Sequence, residues 1–227
     1  MNLPADMHAR RLAALRTVMA DNDLDVVAIV PGSNQRYLTG ANFGSMERPT
    51  VLIVPRAGEL RMVLPFFEEA TWAKLGIPAR VHLWKDTAGY DGAFADAAAG
   101  LAPRRLGVEG QKMRVFEEMA LTRVLAGATV VDAHQAISSI RLHKDDGEIA
   151  ALRAAIKVSE AALEATLRQV RVGMTEKEIE AALLGALFAA GAEALAFPPI
   201  VAGGGNAAEP HPHASDYRLK SGDTLLF

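Results

Sequence analysis

The amino-acid sequence predicts a two-domain soluble protein, an α/β domain with a mixed sheet over about residues 1–135 and an α+β unit from residue 147 onward. Three observations carry this. Short apolar strand patterns alternate with helical ones as far as about residue 132, one strand pair forms a hairpin, and a polar stretch then gives way to a far longer helical period. Residues 136–146 are read as the linker between the two.

From Arg10 to Ala20, Leu12, Ala13, Leu15, Val18 and Met19 recur at helical spacing between Arg10, Arg11 and Arg16. Asn22 and Asp23 stop that helix, and Asp25 to Val30 is an apolar run closed by Pro31-Gly32, the pattern of a buried strand. Thr50–Val54 and Leu60–Leu64 flank Pro55-Arg56-Ala57-Gly58-Glu59, so they form a hairpin with a glycine available for positive φ. The remaining elements of the first domain are strand 80–84, helix 91–101, strand 105–108, helix 113–125 and strand 129–131. Hairpin pairs are antiparallel and helical crossovers connect parallel strands, so the sheet is mixed.

In the second part, Ile149, Leu152, Ala155, Ile156, Ala162, Leu163 and Leu167 make one stripe of a helix spanning about 148–170. Gly173 ends it. Thr175 lies three residues before Glu178, a capping box that starts a second helix running to about Ala190, with Gly191 as its left-handed cap. Strands are expected at Phe197–Ala202 and Asp223–Phe227, joined by a glycine turn and a polar loop.

Composition narrows the function classes. The net charge is −3 without a basic stripe, which argues against nucleic acid as a partner. No cysteine is present, so disulfides, thiol catalysis and thiolate metal sites are excluded and any metal must use His, Asp or Glu. Charged residues interrupt every apolar run near the start, so neither a signal peptide nor a membrane anchor is read there, and a cytoplasmic location is expected.

The densest polar cluster is Asn206-Ala207-Ala208-Glu209-Pro210-His211-Pro212-His213. Two prolines keep the imidazoles of His211 and His213 in extended backbone, where they either face a cleft or sit in solvent; as a metal pair they lack an identifiable third ligand. Gly203-Gly204-Gly205 has no following Lys-Ser or helix pattern, so it reads as a turn rather than a phosphate cradle. Arg141, Lys144, Asp145 and Glu148 read as charges of a helix start before they read as catalysts. Trp72, Trp84, Phe66 and Phe67 complete the first domain's core or a subunit contact, and Tyr37 either lines a site or packs under a turn.

Four stretches in order resemble a known family. Arg141-Leu142-His143-Lys144-Asp145-Asp146-Gly147-Glu148-Ile149, Gly173-Met174-Thr175-Glu176-Lys177-Glu178-Ile179, Phe197 through His211, and Leu219 through Phe227 resemble the opening half of the pita-bread domain of Xaa-Pro dipeptidases (prolidases) and aminopeptidases P. Arg10 to Leu15 and Gln35-Arg36-Tyr37-Leu38-Thr39-Gly40 resemble the creatinase-type amino-terminal domain. The resemblance implies α/β plus α+β: a creatinase-type mixed-sheet domain followed by the first half of a pita-bread domain.

It also implies metal-dependent hydrolysis of Xaa-Pro bonds in the full-length protein, by two divalent ions (manganese, cobalt or zinc) that activate a bridging water. The family's ligands, two Asp, one His and two Glu, would all fall after Phe227, so none of these metals is expected in this chain and the chain alone is expected to be inactive. By its spacing to Gly222-Asp223, His211 matches the family's catalytic-site histidine that holds the substrate and its developing charge. Phe197 and His213 are the substrate-binding candidates, Phe197 matching an aromatic of the substrate pocket. Pro212 after His211 and Gly203 before Gly204 depart from the usual pattern. A proline-containing peptide or dipeptide is the implied substrate and a homodimer the implied assembly, with no nucleic acid and no membrane. The competing readings are a creatinase-like hydrolase of a small guanidino compound and a non-catalytic pita-bread binding module.

Overall fold

The computed structural model describes residues 4–227. They form two compact units, the first ending at His143 and the second beginning at Lys144.

The first unit opens with α1 (Ala5–Asp21), whose inner face is set by Leu15 and Met19, four residues apart and fully buried. Asp23 then takes a left-handed φ of 51°, which an Asp side chain tolerates, and turns the chain into β1 (Val26–Ile29). The expected hairpin is present as β2 (Val51–Pro55) and β3 (Arg61–Pro65), with Gly58 at φ 96° in its turn. β4 (Arg80–Trp84), β5 (Arg105–Val108) and β6 (Thr129–Asp132) complete one sheet in the order β4-β3-β2-β1-β5-β6. β1 with β2 and β2 with β3 are antiparallel, while the pairs β3–β4, β1–β5 and β5–β6 are parallel. The sheet is therefore mixed.

Side chains alternate across each strand, and over the inner strands β1, β2, β3 and β5 both faces are dry. Val27, Ile29, Leu52, Val54, Met62 and Leu64 point into a core with Leu15, Met19 and Trp72. Val26, Ala28, Val51, Ile53, Val63 and Leu106 join Phe94 and Leu121 on the other side. Phe94 belongs to α4 (Asp91–Ala98) and Leu121 to α5 (Val115–Val124). Burial on both faces accounts for the continuous apolar runs of β1 and β2.

Three short helices were not legible in the sequence: α2 (Ser33–Thr39), α3 (Glu69–Ala73), which follows a 3₁₀ turn at Phe66–Glu68, and α6 (His134–Ser139). None is long enough to show a helical period, and α2 is held instead by buried polar contacts. Asn34 Nδ2 donates to Glu109 Oε1 (2.8 Å) and to Ser138 Oγ (3.1 Å), and Asn34 Oδ1 accepts from Arg141 Nε (2.6 Å). Through this network residues 134–143, around the start of the expected linker, belong to the first unit. Trp72 and Trp84 are core residues, at 4% and 6% exposure, whereas Phe66 and Phe67 stand half exposed. The two phenylalanines follow Pro65 at the end of β3, beyond the covered part of the sheet. Tyr37 packs its ring under the Arg11 guanidinium, 3.8 Å from the ring centre.

The second unit pairs α7 (Asp146–Leu167) with α8 (Glu176–Ala189). Asp145 and Glu148 exchange hydrogen bonds with each other's backbone N–H at the start of α7, so this charge pair is a capping box. After α8, Gly191 takes a φ of 101°. Ile179, Leu183 and Val201 form a small core, packed by Met174, Leu187, Leu219 and Leu225. Only two short strands are present, β7 (Ala202–Gly203) and β8 (Leu225–Leu226), paired antiparallel. Of the strand expected over Phe197–Ala202 only its last residue, Ala202, is strand, and Pro198 and Pro199 have no N–H to donate to a ladder. Among the described residues no helix is long and apolar enough to cross a membrane.

Candidate functional site

The site grows from the first turn of α8. Thr175 Oγ1 accepts from Glu178 N–H (3.1 Å) and Glu178 Oε2 accepts from Thr175 N–H (2.7 Å), the capping box expected from the sequence. This leaves Glu176, the first of the two residues between them, free to point inward. Glu176 is buried at 2% exposure. Its Oε1 accepts from Gly203 N–H (2.6 Å) and Asn206 Nδ2 (3.1 Å), and its Oε2 accepts from Ser215 N–H (2.8 Å), Ser215 Oγ (2.6 Å) and again Asn206 Nδ2 (3.2 Å). Burial pushes this carboxyl up, but the bonds from Ser215, Gly203 and Asn206 together outweigh it and hold the group below its ordinary value. The chain here is thus braced by an ionised carboxylate.

Backbone bonds extend the brace. Residues 215–219 lie along the chain entering α8, with Lys177 N–H to Ser215 O, Glu176 N–H to Tyr217 O, Leu219 N–H to Met174 O and Gly173 N–H to Leu219 O. Between the two braced ends runs the loop of the candidate histidines. His211 and His213 are exposed and Pro212 between them is buried, so the proline is the loop's inward anchor and both imidazoles stand on its solvent side. Phe197 is 71% exposed and takes no part in the core. His211 and His213 are thus brought together on one loop, while Phe197 stands on a separate, earlier segment.

The glycine turn that opens the loop is fitted to one conformation. Gly204 has φ 53°, and a Cβ there would sit 2.6 Å from Tyr217 Oη, whose hydroxyl donates to Asp223 Oδ2 at 2.7 Å. Gly204→Ala is therefore expected to destabilise the second unit by about 2 kcal/mol through left-handed strain and the Tyr217 clash. The measurement is amide exchange at Ile179 and Leu183 in α8, whose protection should fall by about thirtyfold. Unchanged protection would mean that the turn relaxes without cost.

Asn206 belongs to the polar cluster singled out in the sequence, whereas Glu176 and Ser215 were not singled out there. The Thr-Glu-Lys-Glu run gave one signal: with Glu178 committed to the cap, the second carboxylate had no local partner. As for metal, no group of three or more His, Cys, Asp or Glu side chains is arranged to hold an ion among the described residues. Two exposed imidazoles on one loop do not make the set a catalytic metal needs.

The comparison with known proteins accords with this architecture. A family model described as Creatinase/Prolidase N-terminal domain matches residues 11–143. The chain belongs to this family. A second model, described as Metallopeptidase family M24, matches residues 150–227 of the creatinase/prolidase chain. The protein named "Probable dipeptidase PepE" of Mycobacterium tuberculosis is 32% identical over 232 residues, covering 98% of this chain and 59% of that protein. The Xaa-Pro dipeptidase of Pyrococcus horikoshii is 26% identical over 222 residues, covering 97% of this chain and 60% of that protein. The crystal structure of a recombinant prolidase from Thermococcus sibiricus superposes with a TM-score of 0.88 at 26% identity, over 96% of this chain and 60% of that one. The chain therefore spans about 60% of the length of the curated relatives it matches. Its fold is the creatinase-type mixed-sheet domain followed by part of a pita-bread domain.

Proposed function

We propose that this chain serves hydrolysis of Xaa-Pro peptide bonds in a protein of its relatives' length, with His211 acting on the substrate side. The observation that carries this is the loop itself: an exposed imidazole, set between prolines, on a segment whose two ends are tied to one buried carboxylate. An imidazole N–H held in that way donates a hydrogen bond to a carbonyl oxygen as it gathers negative charge, which favours the transition state over the bound substrate. His213 on the same side of the loop and the exposed ring of Phe197 are the proposed substrate contacts, the ring suited to the apolar side chain before proline. The reaction is proposed to use divalent metal ions in a protein of the relatives' length, in keeping with the match of residues 150–227 to Metallopeptidase family M24.

The test is a peptidase assay on a protein of the relatives' length, with Ala-Pro and Leu-Pro as substrates, Ala-Leu as the control and added manganese. Cleavage of the proline dipeptides with Ala-Leu spared is the expected result. The 227-residue chain assayed alone should cleave none of them. A long protein that spares proline peptides would overturn the reading, and turnover of a guanidino compound instead would assign the creatinase-like alternative.

A further inference from the structure

Every hydrogen bond that Glu176 accepts through its carboxylate comes from one of two places. Gly203 and Asn206 lie just before the histidine loop, and Ser215 lies just after it. The donors are 27 to 39 residues from Glu176 in sequence, so the carboxylate contributes nothing local to its own helix through them. It touches both ends of the loop, which Asn206 Nδ2 also joins by donating to Ser215 Oγ (3.3 Å), and it does so from the first turn of a helix, a rigid element.

We infer that Glu176 is the positioning residue of His211: it clamps the two feet of residues 207–214 to α8 and so fixes where the imidazole is presented. This deepens the peptidase reading and rests on it for the role of His211, while the clamp itself stands on the geometry of the second unit.

The chemistry of the clamp is specific. Each carboxylate oxygen faces a backbone N–H, Gly203 on Oε1 and Ser215 on Oε2, and both need an acceptor. Glutamine has one acceptor oxygen, and its NH₂ would confront the other N–H. Glu176→Gln therefore conserves shape but opens one foot of the loop, and aspartate is one methylene too short to reach both. Ser215→Ala leaves both carboxylate oxygens and the Ser215 N–H in place, and removes the hydroxyl that donates to Glu176 and accepts from Asn206 Nδ2 and Tyr217 N–H.

Two measurements test this. In the 227-residue chain, Glu176→Gln should raise amide exchange at Gly203 and Ser215 by about tenfold or more, with Leu183 in α8 and Leu52 in β2 unchanged. Ser215→Ala should give a smaller rise confined to the same segment, and it supplies the result should the Gln variant fail to fold. Unchanged exchange at Gly203 and Ser215 in a folded variant would overturn the clamp. In the protein of the relatives' length, Glu176→Gln should lower kcat on Ala-Pro by about tenfold or more with KM little moved, and should add nothing in the His211→Ala background. An equal further loss in that background, or full activity of His211→Ala alone, would overturn positioning through His211. If the wild-type protein cleaves no proline peptide, the peptidase reading falls by itself, and the exchange result still decides the clamp.

Discussion

His211→Ala is expected to lower kcat on an Ala-Pro or Leu-Pro substrate by about 10²–10³-fold in a protein of the relatives' length, the loss typical of a single removed transition-state donor. KM should change little, because the bond to the substrate oxygen strengthens only as charge develops there. Metal content should stay at the wild-type level, since His211 is proposed as a substrate-side group and not as a ligand. Elemental analysis beside the kinetics separates the two roles. Full activity would remove His211 from the site, and a variant that lost its metal would make it a ligand.

The largest stability effect should come from the first unit. Glu109 is buried at 2% exposure at the end of β5, where Oε2 accepts from Val30 N–H (2.8 Å) and Oε1 from Asn34 Nδ2 (2.8 Å). Asn34 in turn accepts from Arg141, so it cannot reverse its amide to suit a changed partner without losing that bond. Glu109→Ala leaves a buried backbone N–H and an amide donor unmet, which should cost about 3 kcal/mol. Glu109→Gln should recover only part of this, since its own NH₂ would face one of the two donors.

Burial pushes the Glu109 carboxyl above its ordinary value, against the bonds from Asn34 and Val30 that pull it down. A raised folded value means that the group's contribution is full below the unfolded value of about 4.5 and is lost as pH rises through the folded one. The gap between wild type and Glu109→Ala should therefore narrow from acid to neutral pH. Urea unfolding read by tryptophan fluorescence measures it cleanly, because both tryptophans of the sequence, Trp72 and Trp84, lie in the core of the first unit. A difference below about 1 kcal/mol would mean that water or a shifted side chain takes over the orphaned donors.

What could be read in advance was local or periodic. The capping box Thr175–Glu178 joins residues three apart, and the inner strands β1, β2, β3 and β5 are runs whose apolar content reflects burial on both faces of one sheet. The same kind of reading failed where an element has no period of its own. α2, seven residues long, is held by the Asn34 network, and the strand sought at Phe197 is limited by two prolines.

By itself, then, the sequence determined the alternation of strands and helices, the two helix starts and the histidine loop between prolines, because each depends on neighbours within a few residues. Only the tertiary structure decided that Pro212 turns inward while His211 and His213 stay exposed, and that Glu176, rather than Glu178, is the buried carboxylate of that region. The physical reason is the distance along the chain over which the deciding bonds act. A cap is satisfied within one helical turn, whereas Glu176 meets its donors only after the chain has folded residues 203 and 215 back onto the start of α8.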